Sequence, residues 1–174
     1  MKEIEILKKA GCSERVIKHC VAVCKKAVEI ASKIDGADLE LVRIGALLHD
    51  IGRSKTHGVE HGVVGGKIAR ELGFSDKVVR IIERHVGAGI PKEEAIKLGL
   101  PPKDYIPETL EEKIVAYADN LTNGTKHISF EEFLRKLKKR LGNNHAAIER
   151  AIRLHRELSE KLQTNKRQIQ RTKL

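Results

Sequence analysis

The chain has no tryptophan, two tyrosines, three phenylalanines and one methionine. So little aromatic surface argues against recognising nucleic acid by stacking bases on a row of rings. Its three cysteines, Cys12, Cys20 and Cys24, are an odd number without CxxC spacing. That excludes a disulfide framework and leaves free, buried thiols, with Cys20 and Cys24 one helical turn apart. No apolar run approaches the roughly 18–20 residues that a membrane-spanning helix needs, so no membrane partner is expected. Met1-Lys2-Glu3-Ile4-Glu5 lacks the apolar core of a signal peptide, and a cytoplasmic location is expected. Strand-like alternation is missing, as is any evident Ser or Cys nucleophile motif. Proline is scarce too, and all four (Pro91, Pro101, Pro102 and Pro107) fall between Gly87 and Glu108.

What is there is 174 residues, 40% hydrophobic and 33% charged, enough for one domain with its own core. The net charge of +10 is unevenly spread: from Glu131 to Leu174 there are 13 Lys and Arg against 5 Glu. Such a basic third could meet nucleic acid or an anionic substrate, or it could be a solvated helix face with a frayed tail.

Apolar periodicity and capping residues divide the chain into helices. Ser13 opens one to about Ile34, and Asp38 one to about Gly52. A third covers Val59 to Leu72 before Gly73, and Ser75 opens a fourth to about Val86. Thr109-Leu110-Glu111-Glu112 and Ser129-Phe130-Glu131-Glu132 match the capping box, in which cap and glutamate satisfy each other's free amides. Their helices run to about Leu121 and Leu141. A last helix spans Asn144 to Gln163, and the polar tail from Thr164 is expected to be disordered. The proline segment, with a short helical stretch from Lys92 to Leu98, reads as a long irregular connection of the kind that forms lids or binding loops.

Several polar residues sit on greasy faces. The run Ile44-Gly45-Ala46-Leu47-Leu48 ends in His49-Asp50 and continues as Ile51-Gly52. Burying that carboxylate costs several kcal/mol unless a metal or a salt bridge compensates it. His19 lies on the apolar stripe between Val16 and Val23. Val78, Ile81 and Ile82 lead by helical spacing into His85. Asp119 follows Val115, Ala116 and Ala118. His61 opens a helix whose next residues include Gly62, Gly65 and Gly66, small enough for a backbone or ligand to approach. Alone, each is ordinarily a hydrogen-bonded core residue. Together, imidazoles and carboxylates aimed inward from five helices form a ligand set for Fe, Mn, Zn, Ni or Co.

The order His19, His49-Asp50, His61, His85, Asp119 resembles the HD superfamily of metal-dependent phosphohydrolases. Leu47-Leu48-His49-Asp50-Ile51-Gly52 looks like its HDIG variant. His61-Gly62-Val63-Val64-Gly65-Gly66, Ile82-Glu83-Arg84-His85 and Ala116-Tyr117-Ala118-Asp119 look like its further motifs, over roughly residues 13–125. Among subfamilies the chain is most similar to the two-metal bacterial hydrolases of diadenosine tetraphosphate. It departs from them after Asp119, where it reads Asn120-Leu121-Thr122-Asn123-Gly124-Thr125-Lys126.

The resemblance implies an all-α HD hydrolase domain over 1–126; the periodicity and composition add two basic C-terminal helices over 127–163, expected to pack on it, and a flexible basic tail over 164–174. It implies that His19, His49, Asp50 and Asp119 hold a first divalent transition metal. Asp50 would bridge to a second held by His61 and His85, with Asp50 and His49 central to catalysis. Two such ions about 3.5–4 Å apart activate a water and clamp phosphoryl oxygens. The expected substrate is a nucleotide or other small phosphate ester or anhydride. The alternatives are a phosphodiesterase acting on RNA or a cyclic nucleotide, with nucleic acid bound by the basic C-terminal helices, and a non-catalytic, metal-stabilised nucleic-acid-binding protein. Arg53, Lys55, Lys126, Lys92 and Tyr105 are candidate substrate-binding residues, and the segment from Gly87 to Glu108, with Lys97 and Lys103, is expected to choose the substrate. His57 could line the site. His127, His145 and His155 are expected at the surface.

Overall fold

The computed structural model describes residues 2–172, with side chains described through residue 165. The fold is all-α. The helices are α1 (Lys2–Ala10), α2 (Glu14–Ala31), α3 (Leu39–Leu48), α4 (His61–Glu71), α5 (Asp76–Arg84), α6 (Lys92–Lys97), α7 (Leu110–Asn120), α8 (Phe130–Leu141) and α9 (Ala146–Thr172). One turn of 3-10 helix, Ile51–Ser54, follows α3, and a two-residue-per-strand hairpin, β1 (Thr122–Asn123) and β2 (Lys126–His127), follows α7. No helix among the described residues is long and apolar enough to cross a membrane.

The caps read from the sequence start the helices. Ser13 Oγ accepts from the Val16 amide, and Asp38 Oδ1 from the Leu41 amide at 3.0 Å. Thr109 and Glu112 complete a reciprocal capping box. Ser129 makes only half of one, because Glu132 pairs with Lys136 at 2.9 Å. Three features differ from expectation. α1 carries no periodic stripe long enough to read, yet Leu7 is fully buried. α3 stops at Leu48, because the backbone leaves the helix at Asp50 (φ −98°, ψ 14°). The last helix extends through Thr172, over residues expected to be a flexible tail, while residues 173–174 lie outside the described residues.

Two apolar clusters hold the elements together. One joins Val23, Ala27 and Ile30 of α2, Val42 and Ala46 of α3, Ile114, Val115 and Ala118 of α7, and Leu154 and Leu158 of α9. The other joins Leu7 of α1, Val16, Ile17 and Cys20 of α2, Leu48, Ala69 of α4, and Val79 and Ile82 of α5. The sequence points to the helix after Asp38 as the most buried, but α7 exceeds it, with seven buried residues of 11 against five of 10. α7 is packed by α2, α3, α5 and α9, whereas α3 leaves Leu39 and Glu40 in solvent. The thiols are free, and burial pushes that of Cys12 up to about 11.

The glycines after His61 serve backbone approach. A Cβ on Gly65 would sit 2.8 Å from Ile82 Cγ2 and 3.1 Å from the Gly52 nitrogen, and one on Gly66 would meet Glu83. Gly52 is tighter still: its Cβ would overlap the His61 carbonyl oxygen and lie 2.7 Å from the Gly65 nitrogen. The 3-10 turn therefore lies directly on α4.

The proline segment packs on itself. Ile90, Ala95, Leu100 and Tyr105 form a third cluster against Val59, Val63 and Val86. A bridge between Ile90 and Tyr105 closes the loop, and Lys103 pairs with buried Glu83 at 2.7 Å. Two histidines expected at the surface are half-buried: His155 stacks on Phe130 at 3.8 Å and accepts from the Tyr117 hydroxyl at 2.6 Å, and His145 accepts from the Ala147 amide at the start of α9. His127 is exposed, with a ring nitrogen bonded to the Ala22 carbonyl.

Because the overlap at Gly52 is with backbone, it cannot be relieved by a rotamer change. Gly52→Ala should cost about 3 kcal/mol or more, seen as a fall in melting temperature of roughly 6 °C or more. Gly62→Ala, whose nearest contacts are at 3.3 Å, should cost less. Equal melting temperatures for the two variants would show that the 3-10 turn is not seated on α4.

Candidate metal centre

Five segments bring six residues to one point. α2 carries His19, the end of α3 delivers His49 and Asp50, α4 begins with His61, His85 caps α5, and Asp119 stands in the last turn of α7. His49, Asp50, His61 and His85 are buried, while His19 and Asp119 are partly open.

Every one of the four imidazoles is tied through Nδ1 to a backbone carbonyl: His19 to Gly124 at 2.8 Å, and His49 to Ala46, His61 to Gly58 and His85 to Ile82, each at 2.7 Å. A carbonyl oxygen only accepts, so each Nδ1 carries the hydrogen. Each Nε2 is thereby turned to the centre, which is how proteins orient ligating histidines. His19 Nε2 lies 3.0 Å from Asp119 Oδ1, and His49 Nε2 lies 3.6 Å from it. On the other side, His61 and His85 Nε2 lie 3.2 and 3.5 Å from Asp50 Oδ1. Ligand atoms of His19, His49 and Asp119 fall within 4.8 Å of one another, as do those of His49, Asp50 and His85.

The electrostatics fit a cation. Burial works against the Asp50 carboxylate, but the charge on His49 and the closeness of His61 and His85 outweigh it and hold its pKa far below the usual range. Asp119 is likewise held down by His19 and His49 against its burial. Burial pushes His85 down, and the like charges of His49 and His61 add to that. His85 is then neutral, with a lone pair at Nε2, and His61 Nε2 is 3.0 Å away. Two nitrogens so placed repel unless a proton or a cation lies between them. His49 Nε2 and Asp50 Oδ1 are buried with no hydrogen-bond partner. Unpartnered buried polar atoms in a cluster of imidazoles and carboxylates are what nitrogen and oxygen ligands of a divalent transition metal look like without the ion.

A cleft of about 920 Å³ opens over the centre. Its walls include Arg15, Arg53, His57, Asn120, Lys136 and Arg140. Arg53 donates Nε–H to Asp50 Oδ2 at 2.7 Å, so this candidate substrate residue stands at the centre. The other candidates do not line the cleft. Lys55, Lys92 and Lys126 are exposed away from it, and Tyr105 is 2% exposed with its hydroxyl donating to the Pro101 carbonyl, so it offers no face to a base. Beyond Gly87 the proline segment does not reach the cleft, since its apolar residues are spent on their own cluster. Arg15, Lys136 and Arg140 were missed singly. Their one signal was spacing, as Phe133, Lys136, Leu137 and Arg140 share a face of α8.

The HD domain family profile matches residues 16–124, from the first turn of α2 to the hairpin. The chain belongs to the HD domain family. It is 58% identical over 165 residues to an uncharacterized protein of Methanocaldococcus jannaschii, covering 92% of this chain and 97% of that one. It is 49% identical over 156 residues to a tRNA (cytidine(56)-2'-O)-methyltransferase of Thermoplasma volcanium, covering 90% of this chain but 45% of that protein. A Ribonuclease Y of Pseudothermotoga lettingae is 33% identical over 131 residues, covering 72% of this chain and 22% of that protein. The HD domain of the Listeria monocytogenes phosphodiesterase PgpH, solved in complex with cyclic-di-AMP, shares the fold with a TM-score of 0.56 at 18% identity, over 94% of this chain and 95% of that one.

His49→Ala removes the residue common to both ligand groupings. Titration of metal-stripped protein with Mn²⁺ should show tight binding in the wild type and its loss in the variant, with helical circular dichroism kept. Undiminished Mn²⁺ affinity would show that the buried centre is not where the metal binds.

Proposed function

We propose that this chain is a metal-dependent hydrolase that cleaves a phosphate ester or anhydride of a nucleotide by attack of water. The observation that carries this reading is the convergence of four Nδ1-anchored imidazoles on two ionised carboxylates at the floor of a cationic cleft. His19, His49, Asp50 and Asp119 would hold one divalent cation, and Asp50, His61 and His85 a second, drawn from Fe, Mn, Zn, Ni or Co. Bound there, such cations supply an activated water and draw charge from the phosphoryl oxygens.

The chain's own residues do the rest. The carbonyls of Ala46, Gly58, Ile82 and Gly124 fix the rings so that no reorganisation accompanies the reaction. Asp119 is the more open carboxylate, with 22% of its side chain exposed against 4% for Asp50, so it borders the cleft from which water and substrate enter. Arg53 is held at Asp50 by Nε and points one terminal nitrogen to the His57 carbonyl, leaving guanidinium hydrogens for the oxygens of a bound phosphate. Among the residues that line the cleft the only serine or cysteine is Ser13, at the rim, while Cys20 is buried against His49 and does not face the cleft.

Within this class the dinucleoside polyphosphate anhydride rests on the matching pair His61 and His85. A phosphodiester of RNA or a cyclic nucleotide is favoured by the basic residues of α8 on the cleft wall and by the relatives named as a ribonuclease and a phosphodiesterase. Methyl transfer draws no support, because this chain spans under half of the relative with that name. A purely structural metal would leave the open, cationic cleft above it without a role.

Turnover of dinucleoside polyphosphates, cyclic dinucleotides, mononucleotides and short RNA, each with five metals in turn, tests the class. Asp50→Ala should lower kcat by about a thousandfold or more, with the helical signal unchanged. Turnover close to that of the wild type would place the chemistry elsewhere.

A further inference from the structure

We propose that α8 furnishes a second phosphate subsite, so that the substrate is a nucleotide strand whose neighbouring phosphate is gripped beside the one being cleaved. This rests on the hydrolase reading above and names the substrate class of that site.

α8 lies outside the family match, which ends at residue 124, yet it forms a wall of the cleft. The residues it contributes, Phe133, Lys136, Leu137 and Arg140, are spaced as one helical face. Leu137 is 5% exposed and seats that face in the main apolar cluster, while Lys136 and Arg140 on the same face border the cleft. Arg15, in the first turn of α2, lines the same cleft. Asp50 and Asp119 are the only carboxylates among the lining residues, and both belong to the metal centre. Once divalent cations balance those two, the cationic side chains of the wall have no counter-charge within the cleft.

One phosphate does not account for that wall. Arg53 already stands at the centre for the reacting group. Lys136 and Arg140 from α8 and Arg15 from α2 add charge for a further anion. The cleft, at about 920 Å³, is at the upper end of small-ligand sites. Its recognition chemistry is also uneven: Phe133 is the only Phe, Tyr or Trp lining it, so bases gain little from stacking and phosphates carry the affinity. The Lys136–Glu132 pair does not oppose this, since both side chains are more than a third exposed and such screened pairs exchange readily for a phosphate. The other side of α8 is basic as well, with Arg135, Lys138 and Lys139 around a shallow groove, so a strand leaving the cleft stays on cationic surface.

The double variant K136Q/R140Q and the single variant R15Q test this. Both probes are defined: a fluorescein-labelled oligoribonucleotide, and the p-nitrophenyl ester of thymidine 5'-phosphate, which has one phosphate. For the double variant the ratio of kcat/KM for the oligonucleotide over the one-phosphate ester should fall about tenfold, as expected for lost charged hydrogen bonds. R15Q should lower the same ratio. Independently of turnover, fluorescence anisotropy in Mn²⁺ with the hydrolysis-resistant phosphorothioate form of the oligonucleotide should show weaker binding by the double variant, with the log–log salt slope reduced by about one. A ratio and a salt slope that both stay at the wild-type value would overturn the proposal. Should the wild type hydrolyse neither probe, the hydrolase reading fails, while the anisotropy arm still decides whether α8 grips the strand.

Discussion

The hydrogen bond from the Nδ1 of each of the four central histidines to a main-chain carbonyl is what the site depends on. Without it an imidazole can present either nitrogen and can turn about its side-chain bonds. With it, tautomer and direction are both fixed before any ion arrives. Three of the four carbonyls lie three residues before their histidine, at Ala46, Gly58 and Ile82, so the constraint is local to the turn that delivers the ligand. The fourth is remote. His19 reaches Gly124, in the turn of the small hairpin, across more than a hundred residues. The segment after Asp119 thus has a role that its departure from related hydrolases would not reveal: it orients the first histidine.

A second constraint brings the two halves of the centre together. His61 can approach Asp50 only if the start of α4 lies against the 3-10 turn that follows Asp50. Gly52 and Gly65 permit that contact, since a methyl group on Gly52 would overlap the His61 carbonyl oxygen itself. The glycine of the His49-Asp50-Ile51-Gly52 string is thus a steric condition for placing the other side's ligand. Gly66 plays a related part by admitting buried Glu83, which in turn pairs with Lys103 and Arg70 and ties the proline segment down.

Charge in the cleft is segregated. Its acidic groups, Asp50 and Asp119, are confined to the cluster of histidines at the candidate centre, and basic groups line its walls. The ion pairs elsewhere, such as Arg150 with Glu94 and Arg84 with Glu112, fasten α9 and α7 to the proline segment and to α5. Those are bonds of architecture. They take up arginines that composition alone would assign to nucleic-acid binding, so the basic character of the C-terminal third divides between structure and cleft wall.

The sequence by itself determined the helices after α1, though not the full length of the last, most of their caps and the six polar residues that the fold brings together. Each of these is written in local terms: periodicity, a capping pair, or a polar residue misplaced on an apolar stripe. Tertiary structure decided what depends on residues far apart in the chain. Tyr105 and Lys92 were candidates for the substrate because they follow His85 in sequence, but a private apolar cluster turns that segment away from the cleft. His155 has no local signal, and its place between Phe130 and Tyr117 follows from how α8, α9 and α7 meet. Lys136 and Arg140 are two among many cations on a basic helix. Only the burial of Leu137 on the same face fixes which side of α8 the cleft receives, because a helix's rotation is set by what its apolar residues find to bury against.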